Sequence, residues 1–108
     1  MIALIQDNLQ QIRTLCERFA IRRLDLFGSA ATGAFDPSRS DIDFLVDLGD
    51  YDATVLDRYM GLAEALEGLL GHEVDLITQP TLRNPYFIRS LDRTRVSVYE
   101  AEDREAAA

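Results

Sequence analysis

The chain has 108 residues, with 19 acidic side chains, 11 basic ones, a single His and a net charge of −8. Every basic residue is Arg, which excludes Schiff-base, P-loop and kinase-type lysine chemistry. The length fits one domain without a separate substrate domain, and the acidic balance disfavours a nucleic-acid surface while suiting a basic partner or a bound cation.

Cys16 is the sole cysteine and cannot form an internal disulfide, so a reducing cytoplasm is expected. The opening MIALIQDNL turns polar too soon for a signal peptide or a membrane span. Residues 1–100 read as one domain, and 101–108 as an acidic, Ala-rich tail.

From about residue 3 to 20, Ile5, Leu9, Ile12, Cys16 and Phe19 recur at helical spacing, and Leu15 widens that face. Residues 21–27 alternate as a strand, with Leu24 and Leu26 on one side and Asp25 on the other. Gly28-Ser29 ends it, and a short helical turn and loop follow. Residues 41–48 form a second strand: Ile42, Phe44, Val46 and Leu48 share one face, and Asp41, Asp43, Leu45 and Asp47 the other.

A long helix is expected over 54–70 on Val55, Tyr59, Leu62, Ala63, Leu66 and Leu70, with Gly71 as its stop. Residues 73–77 make a third strand, read as interior. Asn84-Pro85 opens a short helix through Phe87, Ile88 and Leu91, and residues 95–99 form an edge strand. The sum is a small mixed α/β (α+β) domain: a three- or four-stranded sheet with packed helices.

Asp41 and Asp43 sit two apart on one strand, so both carboxylates leave the same face. Two such groups repel when ionised, and a hard divalent cation resolves the conflict. Alone, the pair fits a solvated acidic face equally well. Asp75 lies between apolar neighbours and calls for a partner, either a shared cation with Asp41 and Asp43 or an Arg. Gly28-Ser29 between a strand and a helical turn can cradle phosphate, or be a plain turn. Gly28 and Gly33 have P-loop spacing, but Ala34 and Phe35 stand where Lys and Ser/Thr are required. A calcium loop starting at Asp41 fails at Leu45, Val46 and Asp52.

Three segments now combine: Leu26-Phe27-Gly28-Ser29-Ala30-Ala31-Thr32-Gly33, then Ser40-Asp41-Ile42-Asp43-Phe44-Leu45-Val46, then Glu73-Val74-Asp75-Leu76. Together they closely resemble the minimal nucleotidyltransferase (MNT) family of the DNA polymerase β-type superfamily, over nearly the whole chain. The resemblance implies a polymerase β-like nucleotidyltransferase fold. It implies Asp41, Asp43 and Asp75 as catalytic and metal-holding residues, Mg²⁺ or Mn²⁺ as cofactor, ATP as substrate, and Gly28 and Ser29 on the terminal phosphates. It further implies an antitoxin that transfers AMP to a tyrosine of a cognate HEPN RNase toxin, in a cytoplasmic hetero-oligomer without nucleic acid or membrane.

The chain departs from the family twice. Residues 30–40 make the loop one residue longer than usual, and Thr32 stands where the family tends to carry Arg; Arg39 is a candidate to compensate. The alternatives are an antitoxin that acts by contact alone and a transferase for a small molecule. The second usually needs an added domain. His72 reads as a turn residue, Cys16 as a buried hydrophobe, and Tyr59 and Met60 as core or interface. Arg22, Arg23, Arg83, Arg89, Arg93 and Arg95 are expected at the surface.

Overall fold

In a computed structural model, residues 1–34, 36, 41–78 and 85–101 are described, apart from the side chains of residues 86, 87 and 90–92. The element order is α1 (Ala3–Asp7), α2 (Leu9–Arg18), β1 (Arg23–Phe27), α3 (Ser29–Thr32), β2 (Ile42–Asp47), α4 (Val55–Leu70), β3 (Val74–Thr78), α5 (Pro85–Thr94) and β4 (Val96–Glu100). The strands form one sheet in the order β3-β2-β1-β4. β1 runs antiparallel to both β2 and β4, whereas β2 and β3 are parallel, joined through α4. A parallel pair needs such a crossover, because a tight turn can only reverse the chain.

Alternation decides which strand residues meet the helices. Leu24, Leu26, Ile42, Phe44, Val46, Leu76 and Val98 share one buried cluster with Ile5, Ile12 and Cys16 of the first helices and Leu62, Leu66 and Leu70 of α4. The opposite sheet face has a smaller cluster, Phe27 and Leu45 with Ile77 beside them. Leu45 is therefore buried on the face it shares with Asp43 and Asp47.

Two expectations need correction. The single helix over 3–20 is two helices, because Asn8 leaves helical geometry and its side-chain amide donates to the Leu4 carbonyl (2.8 Å). An Asn side chain offers the backbone this alternative to the helical ladder. And among the described residues β3 is an edge strand, not an interior one. Its apolar residues read as interior because Leu76 packs on α4, while strand order is set by the crossover. The expected N-cap Asn84 and the side chains of Phe87 and Leu91 lie outside the described residues; α5 itself starts at Pro85.

The loop between β2 and α4 is pinned by Arg58, whose guanidinium donates to the carbonyls of Leu48 (2.7 Å), Asp50 and Ala20 (3.4 Å). α4 ends at Gly71 in the left-handed conformation, as expected. Two other glycines of this helix differ in surroundings. A Cβ on Gly61 would lie 2.5 Å from Phe19 Cε1, so the missing side chain is what lets Phe19 seat against α4. A Cβ on Gly68 would meet nothing within 4 Å.

Thermal or denaturant unfolding checks that difference. Gly68→Ala should stabilise the fold by about 1 kcal/mol, the usual helix-interior preference for Ala over Gly. Gly61→Ala should lose that gain to the Phe19 clash and recover it in a Phe19→Ala background. Equal gains at both sites would refute the packing.

Candidate active site

The site is built at one end of the sheet, on the face opposite the main core. β1 and β2 pair Phe27 with Asp43, and β2 and β3 pair Asp43 with Asp75. Phe27, Asp43 and Asp75 thus stand in one row on one face, and the parallel register places the two carboxylates side by side. Asp43 is half-buried, whereas Asp75 and Asp41 are exposed. The Asp43 carboxyl is pushed up to about 6 by its burial, then by the charge of Asp75, a hydrogen bond with Asp75 and the charge of Asp41.

Of the three acids singled out in the sequence, the structure brings Asp43 and Asp75 into contact. Asp41 precedes the first residue of β2, where the ladder does not hold it, and acts on Asp43 only through its charge. Among the described residues no group of three His, Cys, Asp or Glu side chains is placed to hold a metal ion together. The expected three-carboxylate cluster is met here as a pair with a flanking acid. The donor set is all oxygen, and its like charges crowd until one proton or one cation intervenes. That fits a hard divalent ion.

The turn after β1 completes the row. Gly28 has φ +70 and ψ −151, a conformation suited to glycine. A Cβ there would lie 2.8 Å from Asp43 Oδ2, so only glycine lets the backbone come this close to the carboxylate. The Gly28 N–H donates to Thr94 Oγ1 (3.3 Å), which ties the turn to the end of α5. The expected phosphate cradle therefore does not have this N–H unengaged. Ser29 follows, half-buried, as the first residue of α3. Ala30 and Ala31 are buried, and their carbonyls accept from the Ile2 N–H (2.9 Å) and the Met1 amine (2.8 Å). Thr32 is exposed, its hydroxyl donating to the Ser29 carbonyl (3.4 Å). Arg39 lies outside the described residues.

Asp25 was missed as a site-face residue. It is only 1% exposed, on the same face as Phe27. Arg23 Nε donates to its Oδ1 (3.1 Å), and Arg95 Nε lies 2.7 Å from its Oδ2 as an ion pair. Arg23 and Arg95 are thus not simple surface residues: a buried carboxylate draws them in, because its charge needs a partner. The signal in the sequence was an acid at the centre of an apolar strand. Its partner Arg95 lies 70 positions away.

The remaining readings are plain. Cys16 is fully buried and its thiol is pushed up to about 12, mainly by desolvation, so it packs as a hydrophobe. His72 lies in the bend between α4 and β3. The Tyr59 hydroxyl donates to the Leu76 carbonyl (2.7 Å), while Met60 is 53% exposed. Among the described residues no helix is long and apolar enough to cross a membrane.

The electrostatics of the pair set a test in metal-free buffer. The Asp43 carboxyl rises from 3.8 to about 6 on folding, so this group costs nothing below pH 4 and destabilises progressively as pH rises through 6. Asp43→Asn removes that cost. The variant should match the parent near pH 3.5 and exceed it at pH 8 by on the order of 1 kcal/mol, a value discounted for solvent screening at a half-buried group. A variant less stable than the parent at pH 8 would contradict the crowding.

Comparison with known proteins agrees with this geometry. Residues 9–98 match the family described as the nucleotidyltransferase domain. The protein adenylyltransferase MntA of Thermococcus cleftensis is 34% identical, over 78% of this chain and 87% of that protein. A structure described as a minimal nucleotidyltransferase is 30% identical, with a TM-score of 0.70, covering 85% of this chain and 90% of the other. A complex of a tri-AMPylated Shewanella oneidensis HEPN toxin with its MNT antitoxin shares the fold at 19% identity and a TM-score of 0.59, covering 94% and 77%. With the family match spanning most of its length, this chain belongs to the nucleotidyltransferase domain family.

Proposed function

We propose that the protein is an antitoxin adenylyltransferase that moves AMP from ATP to a tyrosine hydroxyl of a cognate HEPN RNase toxin and so neutralises it. The observation that carries this reading is the Asp43–Asp75 pair, held in register against the Gly28 turn. The named relative is a protein adenylyltransferase, and the Shewanella complex joins an AMPylated toxin to its antitoxin.

In this reading Asp43 and Asp75, with Asp41 beside them, would hold Mg²⁺ or Mn²⁺, and Gly28, Ser29 and Arg39 would contact the phosphates. Such an ion would supply charge to offset that on the attacking and leaving oxygens. The tyrosine oxygen attacks the α-phosphorus, the bond to the bridging oxygen breaks, and pyrophosphate leaves in line. Asp75, exposed on the edge strand, receives the phenolic proton. Gly28 keeps the wall behind Asp43 free of side chain, so the phosphates can lie against the backbone. Exposed Tyr51, Leu56 and Met60, interspersed with exposed Asp50, Asp52 and Asp57, suit contact with a protein that carries complementary basic groups. A second reading, neutralisation by contact alone, is favoured by Thr32, which leaves α3 without a cationic side chain.

Co-incubation with ATP, Mg²⁺ and the cognate HEPN protein decides between them. Intact mass should show one or more AMP additions on tyrosine, and Asp43→Asn should lower the rate at least a hundredfold while keeping its fold. Inhibition of the toxin with no added mass would favour contact alone. Independently of turnover, Mg²⁺ should raise the thermal transition of the parent chain and not that of Asp43→Asn, as expected when a ligand binds only the folded state.

A further inference from the structure

We infer that Arg95, held by buried Asp25, is a cation that receives the terminal phosphates of the nucleotide; this rests on the nucleotidyltransferase reading above. The chain has no Lys, and Ser29, Ala30, Ala31 and Thr32 have no charged side chain, so a cationic side chain for phosphate at this turn must come from elsewhere in the chain. Arg95 stands on the other side of β1. β1 and β4 pair Leu26 with Val96 on the core face, so Arg95 falls level with Phe27 and, by alternation, on the site face. Its ion pair with Asp25 confirms that face.

The row across the sheet therefore reads Arg95, Phe27, Asp43, Asp75. Arg95 and Asp43 are two strand spacings apart, about 10 Å. One end of the row is acidic and the other basic, with the Gly28 turn between them. A polyphosphate lying along this row from Asp43 would reach toward Arg95. Thr94, the preceding residue, already ties α5 to this turn through the Gly28 N–H.

Arg23 and Arg95 both pair with Asp25, and Arg23 also has Asp47 and Glu100 opposite it in the strand register, so Arg95 is the Asp25 partner nearer the Gly28 turn. Arg95 Nε lies 2.7 Å from Asp25 Oδ2 as an ion pair, and the Arg95 side chain is 26% exposed. Asp25 is then a positioning residue: it fixes Arg95 and does not itself meet the nucleotide.

Calorimetric binding of ATP, AMP and inorganic tripolyphosphate in Mg²⁺ tests this. Arg95→Gln should weaken ATP and tripolyphosphate about tenfold or more and leave AMP unchanged, and Arg95→Lys should recover part of the loss. Asp25→Asn should show the same selectivity for polyphosphate at a smaller size, which a purely structural role would not produce. A cooperative thermal transition above the assay temperature, lowered in Arg95→Gln by the loss of the Asp25 pair, checks that the Arg95 variants are folded. If Arg95→Gln binds ATP as the parent does, or loses ATP and AMP equally, the assignment of Arg95 is overturned and the nucleotidyltransferase reading stands. A parent chain without affinity for ATP overturns both.

Discussion

The fold turns on two like charges kept side by side. Left alone, ionised Asp43 and Asp75 would separate, and on adjacent parallel strands they cannot. The ladder between β2 and β3 holds them, and that ladder exists because α4 carries the chain back over the sheet. α4 in turn stays in place through Leu62, Leu66 and Leu70, each buried in the main cluster. Much of the apolar burial in the molecule thus secures a register, and the register creates an unfavourable contact. Asp43 records that cost in its raised carboxyl. A cation or a proton relieves it, which makes the pair receptive to a positive ligand.

Arginine replaces lysine throughout the chain, and Arg58 uses its guanidinium for multidentate contact. Arg58 gathers the carbonyls of the β2–α4 loop, and Arg13 donates to the Val98 carbonyl from α2 (3.1 Å). Arg23 and Arg95 converge on Asp25. The Arg58 fork reaches the carbonyls of Leu48, Asp50 and Ala20 through two nitrogens, a spread that its five N–H donors suit. The absence of Lys in the sequence is therefore matched by the way the loops and the site face are held.

Much of this was legible in one dimension. Period-two alternation placed Ile42, Phe44 and Val46 against the core, helical spacing placed Leu62, Leu66 and Leu70, and Gly71 marked the end of α4. The motif acids were legible by type and spacing. What could not be read was anything decided by strand order or by distant pairing. Val74, Leu76 and Ile77 look like an interior strand, but among the described residues the sheet ends at β3. Asp25 was placed only on the side opposite Leu24 and Leu26, because Arg95 meets it only after β4 has come back beside β1. Asn8 sat inside a good helical period, and its side-chain amide still broke the helix locally.

The edge position of β3 gives Asp75 a second consequence. A terminal strand can offer backbone groups to another strand, and charge along it deters such pairing. Glu73 and Asp75 are both exposed there. On the outer edge the Val74 N–H donates to Glu67 (3.1 Å) and the Leu76 carbonyl accepts from Tyr59 (2.7 Å), so side chains of α4 occupy backbone groups that an added strand would need. Asp75 thus adds a negative charge to an edge that α4 already closes in part.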